Sequence, residues 1–378
     1  MIGRILEESI KAKLFKGKAI VILGPRQVGK TTLLKKIATN LKDTLWLNAD
    51  NFEVQTLFEI PSSSRFKAII KNHKIVIIDE AQNIKDIGLK LKIITDELKE
   101  VQLIVTGSSA FDLSNALNEP LTGRKFEYQL YPISFEEMEK HHGLLEELSQ
   151  LEHRMVYGYY PDVVVNKTAE KEILKLLADS YLFKDILIWN KIKKSDKIIK
   201  LLQALAFQIG NQVSYNELGR LVGLNSETVE SYIQLLEKSF IIYRLGTFSR
   251  NLRTELKKTR KIYFVDNGIR NAIIGNYAPI TLRNDVGALW ENFIIGERKK
   301  YLAYHKIYAN SYFWRTTAQQ EIDYIEERDG KLFAYEFKWS THKKVKIPKT
   351  FLRTYPDAVV KIITPDNFEE FILTEVNS

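Results

Sequence analysis

The octapeptide GPRQVGKT, residues 24–31, limits what this chain can become more than any other stretch. It fits the pattern G-x-x-x-x-G-K-[ST], with Gly24, Gly29, Lys30 and Thr31 in the fixed positions. The flanks are those the pattern needs. KAIVILG before it is a short apolar strand ending in glycine, and KTTLLKKIATNL after it carries apolar residues at helical spacing. A phosphate chain concentrates negative charge and must be met by many donors at once. A glycine-rich turn at a helix start exposes backbone N–H groups, and the helix dipole adds to them. The candidate nucleotide contacts are therefore Gly24, Pro25, Arg26, Gln27, Val28, Gly29, Lys30, Thr31 and Thr32. Lys30 reaches the β- and γ-phosphates and the Thr31 hydroxyl holds magnesium, so ATP and Mg2+ are the expected cofactors. Arg26 has no role of its own that spacing supplies.

A second motif strengthens the first. After the apolar run IVII, about fifty residues beyond the loop, come Asp79 and Glu80. Asp79 is expected in the magnesium shell, and Glu80 is expected to orient or deprotonate the attacking water. The next apolar strand ends in TGSS, where Ser108 or Ser109 could sense the γ-phosphate or simply form a polar turn. Arg124, in LTGRKFEYQLYPISFEE, is an arginine-finger candidate, acting in its own subunit or in the neighbour's within a homo-oligomer, or else a surface arginine.

Apolar strands at KAIVILG, TLWLNAD, KIVIIDEA and LIVTGSS alternate with helical segments, which predicts an α/β fold with a parallel sheet covered on both faces over residues 1–145. Helical periodicity then takes over. KIIKLLQALAFQIG, VSYNELGRLVG and NSETVESYIQLLEKSFI read as three helices, the last capped by Asn225 or Ser226, and IIYRLGTFSR…RKIYFVD reads as two strands. That order predicts a winged helix-turn-helix within a mostly helical region, 146–284. Residues 285–378 open with the helix VGALWENFIIGERKKYL and continue in strands, a small α/β domain.

One hairpin in that last part carries chemistry. In EIDYIEERDGKLFAYEFKWS, residues 321–340, Asp329-Gly330 is a two-residue turn signal, because both residues accept the positive φ of a type I′ turn. This pairs Arg328 with Lys331 and, counting outward, sets Asp323 opposite Glu336 with Lys338 on the same face. Opposed carboxylates destabilise a strand pair unless a positive charge lies between them. A divalent cation would do this, with Asp323 and Glu336 as ligands and Lys338 stabilising developing charge during phosphodiester attack. The plainer alternative is a surface hairpin whose carboxylates are solvated or paired to Lys338.

GPRQVGKTTLL, IVIIDEAQ, VTGSSA and LTGRKFEYQLYPISFEE, followed by YGYYPDVV, YLFKDIL, YFVDNGIRNAI, GALWENFII and EIDYI…YEFKWS, resemble the AAA-type P-loop ATPases fused to a DUF4143 C-terminal region. The resemblance covers nearly the whole chain. It implies an ATPase module, a winged-helix-like middle and a C-terminal region similar to PD-(D/E)xK nucleases. The D-x12-E-x-K spacing resembles the signature of those nucleases, and Glu291 matches the helix glutamate that completes their metal shell; Ile322 stands where the signature has proline.

The partners are harder to read. The chain has 56 Lys and Arg against 47 Asp and Glu, a net charge of +9, and six basic residues (Arg250, Arg253, Lys257, Lys258, Arg260 and Lys261) fall between the two expected wing strands. This suits contact with DNA or RNA phosphates through segment 250–261. The third helix, with two glutamates and few amides, argues against base readout. The absence of cysteine excludes disulfides, thiolate metal sites and thiol nucleophiles. No signal segment or membrane-spanning run is read, so a cytoplasmic location is expected. Three functions remain open: ATP turnover coupled to action on nucleic acid, with metal-dependent cleavage by the C-terminal domain; an ATP-dependent switch that binds a protein partner and keeps the nuclease-like domain as a scaffold; or a recombination or repair motor moving on DNA.

Overall fold

Strands β1 (Ala19–Leu23), β2 (Thr44–Asn48), β3 (Ile75–Asp79), β4 (Gln102–Gly107) and β5 (Lys125–Gln129) form one parallel sheet, ordered β2-β3-β4-β1-β5. The computed structural model describes residues 2–39, 41–108, 120–189, 195–249, 260–340 and 346–374. β1, β3 and β4 are buried along their whole length, which is why they read as unbroken apolar runs. Parallel neighbours need crossovers, and the helices Lys30–Ala38, Ser63–Ile70 and Ile87–Glu97 supply them. β5 escapes a reading based on apolar runs because KFEYQ is a half-exposed edge strand with two charges.

The chain divides into two units, Met1–Ile133 with Lys238–Phe240, and Ser134–Glu237 with Ile241–Ser378. The boundaries expected from the sequence fall after residues 145 and 284. In the second unit one seven-stranded sheet runs through the middle and C-terminal segments alike, ordered β12-β11-β10-β9-β7-β8-β6. Its strands are β6 (Gln212–Val213), β7 (Ile242–Thr247), β8 (Arg260–Phe264), β9 (Asn310–Arg315), β10 (Glu321–Arg328), β11 (Lys331–Phe337) and β12 (Val359–Ile363). The joint is a parallel pairing in which Gly246 and Thr247 of β7 meet Tyr312 and Phe313 of β9.

The middle segment runs helix Ser195–Phe207, β6, helix Tyr215–Val222, helix Ser226–Lys238, β7 and β8, with β8 antiparallel to both β6 and β7. Asn225 caps the third helix, its Oδ1 accepting the Thr228 N–H at 2.8 Å. Farther on, Asp329 (φ 48°) and Gly330 (φ 77°) form the expected turn. The register follows: Arg328 faces Lys331 and Tyr324 faces Tyr335. The helix Val286–Tyr304 is so enclosed that Glu297, Arg298 and Lys300 all lie in the interior. Arg298 is satisfied there by Glu326 of β10, through Nε to Oε1 at 2.7 Å and Nη2 to Oε2 at 3.0 Å.

Candidate active site

The loop after β1 turns into the helix Lys30–Ala38 through Gly29, whose φ of 93° a side-chain-bearing residue rarely adopts. No side chain caps this helix start, so its first N–H groups keep their capacity for an anion. Lys30 is buried, and its Nζ donates to the carbonyls of Gly24 at 2.9 Å and Pro25 at 2.8 Å. The Glu80 carboxylate lies 3.8 Å from the same nitrogen. Thr31 Oγ1 donates to Asp79 Oδ2 at 2.8 Å, so the two side chains expected around magnesium meet across 48 residues. Such a hydroxyl–carboxylate pair fits a magnesium ion that completes its shell with phosphate oxygens and water.

Three residues that the motifs did not single out tie this site together. The Thr106 hydroxyl, at the end of β4, donates to Asp79 Oδ1 and accepts the Glu80 N–H at 3.1 Å. It follows the apolar run Leu103–Val105 of β4, and that break in polarity was the available signal. Gln82, in DEAQ, donates through Nε2 to Glu80 Oε2 at 2.6 Å and to Ser108 Oγ at 3.1 Å. It thus connects the base candidate to the sensor candidate. Arg4, far upstream, bonds the Val28 and Tyr131 carbonyls at 2.6 Å each and braces the loop from outside. Burial and the charges of Glu80 and Asp79 raise the pKa of Asp50, while Arg26 opposes them; this places Arg26 in the electrostatics of the acidic strand ends. Ser109 lies outside the described residues.

Arg124 is in the wrong place to act in its own subunit. Its carbonyl accepts the N–H of Ala19, at the start of β1, while the phosphate loop follows the other end. Five strand residues at roughly 3.3 Å each separate the two by about 15 Å. Its guanidinium Nε is bonded to Asp96 Oδ1 at 2.6 Å, beside a cleft of about 410 Å³. The arginine-finger role within one subunit is therefore corrected.

The C-terminal carboxylates are also arranged differently from a metal centre. Lys338 Nζ bonds Glu336 Oε2 at 2.9 Å and Asp323 Oδ2 at 3.3 Å, and Asp323 Oδ2 also accepts the Phe337 N–H at 2.9 Å. Burial, then the Asp323 charge, push the Glu336 carboxyl up to about 7, with Lys338 opposing. Glu291 is bonded elsewhere. Its Oε1 accepts Lys261 Nζ at 2.9 Å and the Tyr263 hydroxyl at 2.5 Å. Lys261 also pairs with Glu321 at 2.5 Å. Among the described residues no three acidic or imidazole side chains form a group able to hold a metal. Glu291, Asp323 and Glu336, expected around one ion, are instead divided between two lysines. Lys261 itself, expected on a DNA-facing wing, is 2% exposed and points inward from β8; Arg250, Arg253, Lys257 and Lys258 lie outside the described residues.

Among the described residues no helix is long and apolar enough to cross a membrane. Family models match three consecutive stretches: an AAA domain at 16–139, a domain of unknown function (DUF8612) at 148–279 and another (DUF4143) at 286–372. An uncharacterized protein of Methanocaldococcus jannaschii is 24% identical over 409 residues, covering 98% of this chain and 89% of its own. One of Haemophilus influenzae is 29% identical over 290 residues, covering 68% of this chain and 70% of its own. Among solved structures, the Walker-type ATPase PABY2304 of Pyrococcus abyssi superposes with a TM-score of 0.53 at 15% identity, covering 72% of this chain and 96% of that one. With its parallel five-stranded sheet, its phosphate loop and these matches, the chain is an AAA-type P-loop ATPase domain followed by a DUF4143 region.

Proposed function

We propose that the chain binds ATP with magnesium, hydrolyses it at Lys30, Thr31, Asp79 and Glu80, and works as an ATP-dependent switch whose second unit engages a protein partner. The Thr31–Asp79 hydrogen bond carries the first half of this reading. Thr31 and Asp79 would hold the magnesium, which neutralises phosphate charge when bound. Lys30, now resting on two carbonyls of its own loop, transfers to the phosphates, and Glu80, oriented by Gln82, positions the attacking water. Ser108 lies within reach of the same Gln82 and senses the γ-phosphate.

For the second half, three features favour a protein over a nucleic acid. The exposed residues of the helix Ser226–Lys238 include Glu227, Glu230, Ser231 and Gln234, a face that repels phosphates. Lys261 is buried, and β7 is paired on both sides, with β8 and with β9. We read the helix–strand order of the middle segment as a winged helix, a module that also binds proteins. The net charge of +9 supports the second reading, ATP turnover coupled to nucleic acid.

The deciding experiment is ATPase turnover of wild type and Lys30→Ala, each with and without DNA. Turnover lost in Lys30→Ala and indifferent to DNA supports the switch. Stimulation by DNA that falls steeply with salt supports the nucleic-acid reading. Turnover unchanged in Lys30→Ala removes the proposed site.

A further inference from the structure

We propose that Lys261 is a built-in cation: its ammonium occupies the centre of the carboxylate cluster in the second unit, so that this cluster takes no divalent metal ion and the C-terminal region folds without one. This deepens the reading of that region as a non-cleaving scaffold and rests on it.

The position of Lys261 is set by the backbone. It lies on β8, between β6 and β7, opposite Gln212 on one side and Leu245 on the other. Pairing on both sides fixes its backbone and the face of the sheet from which its side chain departs. Its side chain points inward to Glu291 Oε1 at 2.9 Å and Glu321 Oε1 at 2.5 Å. Its nitrogen also lies 5.4 Å from the centre of the Phe313 ring, whose face attracts a cation. An ammonium offers three donors and no acceptor, so these partners use its capacity.

The carboxylates are balanced around it. Glu321 also pairs with Arg315, at 2.9 Å, and Asp323 and Glu336 share Lys338. Tyr263 gives Glu291 a second hydrogen bond. Four carboxyl groups thus face three cations, and two of those cations touch two carboxyl groups each. A magnesium ion needs oxygen ligands in near-octahedral array at about 2.1 Å. To enter among Glu291, Glu321 and Asp323 it would have to displace a buried ammonium that has nowhere to go. Burial disfavours the charge on Lys261, yet Glu291, Glu321 and Asp323 outweigh it and hold its pKa above the usual lysine value.

The test is a titration of the full chain with Mn2+ in the absence of nucleotide, counting bound ion by electron paramagnetic resonance and following the thermal unfolding midpoint. Wild type should bind no ion at this cluster, so that Asp323→Asn matches it in ion count, and EDTA should leave the midpoint where it was. Lys261→Met and Lys261→Gln keep much of the side-chain volume but remove the charge; each should gain about one bound Mn2+ and a midpoint that rises with added ion. An ion bound by wild type and lost in Asp323→Asn would overturn the proposal. So would folded Lys261→Met and Lys261→Gln proteins that bind no ion. If neither lysine variant folds, the comparison of wild type with Asp323→Asn decides alone. Because nucleotide is absent, a phosphate loop that fails to hydrolyse ATP leaves this readout unchanged.

Discussion

Thr31 and Asp79 hold each other at 2.8 Å across the head of the sheet, and Thr106 holds the other oxygen of the same carboxylate. One aspartate thereby joins the helix after β1, the end of β3 and the end of β4. All three elements are thus tied to one carboxylate at the head of the sheet, beside the phosphate loop.

Loss of either partner should cut turnover. Thr31→Ala and Asp79→Asn are each expected to lower kcat by about 10²–10³-fold, the usual cost of removing one preorganised group from a developing charge. Steady-state ATPase kinetics with varied magnesium check this, and Asp79→Asn should also raise the magnesium concentration needed for half-maximal rate.

Gly24 is required by space. A Cβ built there would stand 2.1 Å from the Leu130 carbonyl oxygen, a backbone atom that cannot move aside. Gly24→Ala should therefore destabilise the first unit by about 1–3 kcal/mol, the range for overpacking. Urea unfolding of the variant would show it, whereas an unchanged midpoint would mean that β1 and the segment after β5 separate easily.

The raised Glu336 carboxyl makes stability depend on pH. The folded state keeps its proton up to about pH 7, whereas the unfolded chain loses it near the ordinary value of 4.5. The folded state therefore binds more protons within that window, and stability falls as pH rises through it, by on the order of 2–3 kcal/mol. Comparing unfolding midpoints of wild type and Glu336→Gln at pH 5 and pH 8 checks this: the glutamine variant should lose most of the difference.

The pair Arg298–Glu326 is fully enclosed, and Arg298 also donates to the Phe371 carbonyl at 2.6 Å. Removing Glu326 strands Arg298 without water, and removing Arg298 leaves Glu326 with only Arg328 Nε, at 3.3 Å. Glu326→Gln or Arg298→Met should each cost about 3–5 kcal/mol. Restoring stability with the double substitution Glu326→Leu/Arg298→Met would show that the penalty comes from the stranded charge rather than from lost packing.

The sequence by itself determined the parts of this protein that depend on neighbours in the chain. GPRQVGKT between a strand and a helix, Asp79 and Glu80 at the end of an apolar run, and Asp329-Gly330 at a hairpin tip all act over a few residues, and local backbone preference suffices to place them. The 328–331 register follows from the turn alone. Tertiary structure decided everything that turned on which distant charges meet. Arg124 is carried to the far end of β1 because it precedes β5 rather than following it. Lys261 reads as one more basic residue in a charged run, yet the pairing of β8 between β6 and β7 turns it inward onto Glu291 and Glu321, 30 and 60 residues away. The two carboxylates of the hairpin were legible as opposed, but the charge between them was not. Periodicity shows which face of a strand a residue occupies; only the packing of other elements against that face shows whether a metal or an ammonium neutralises it.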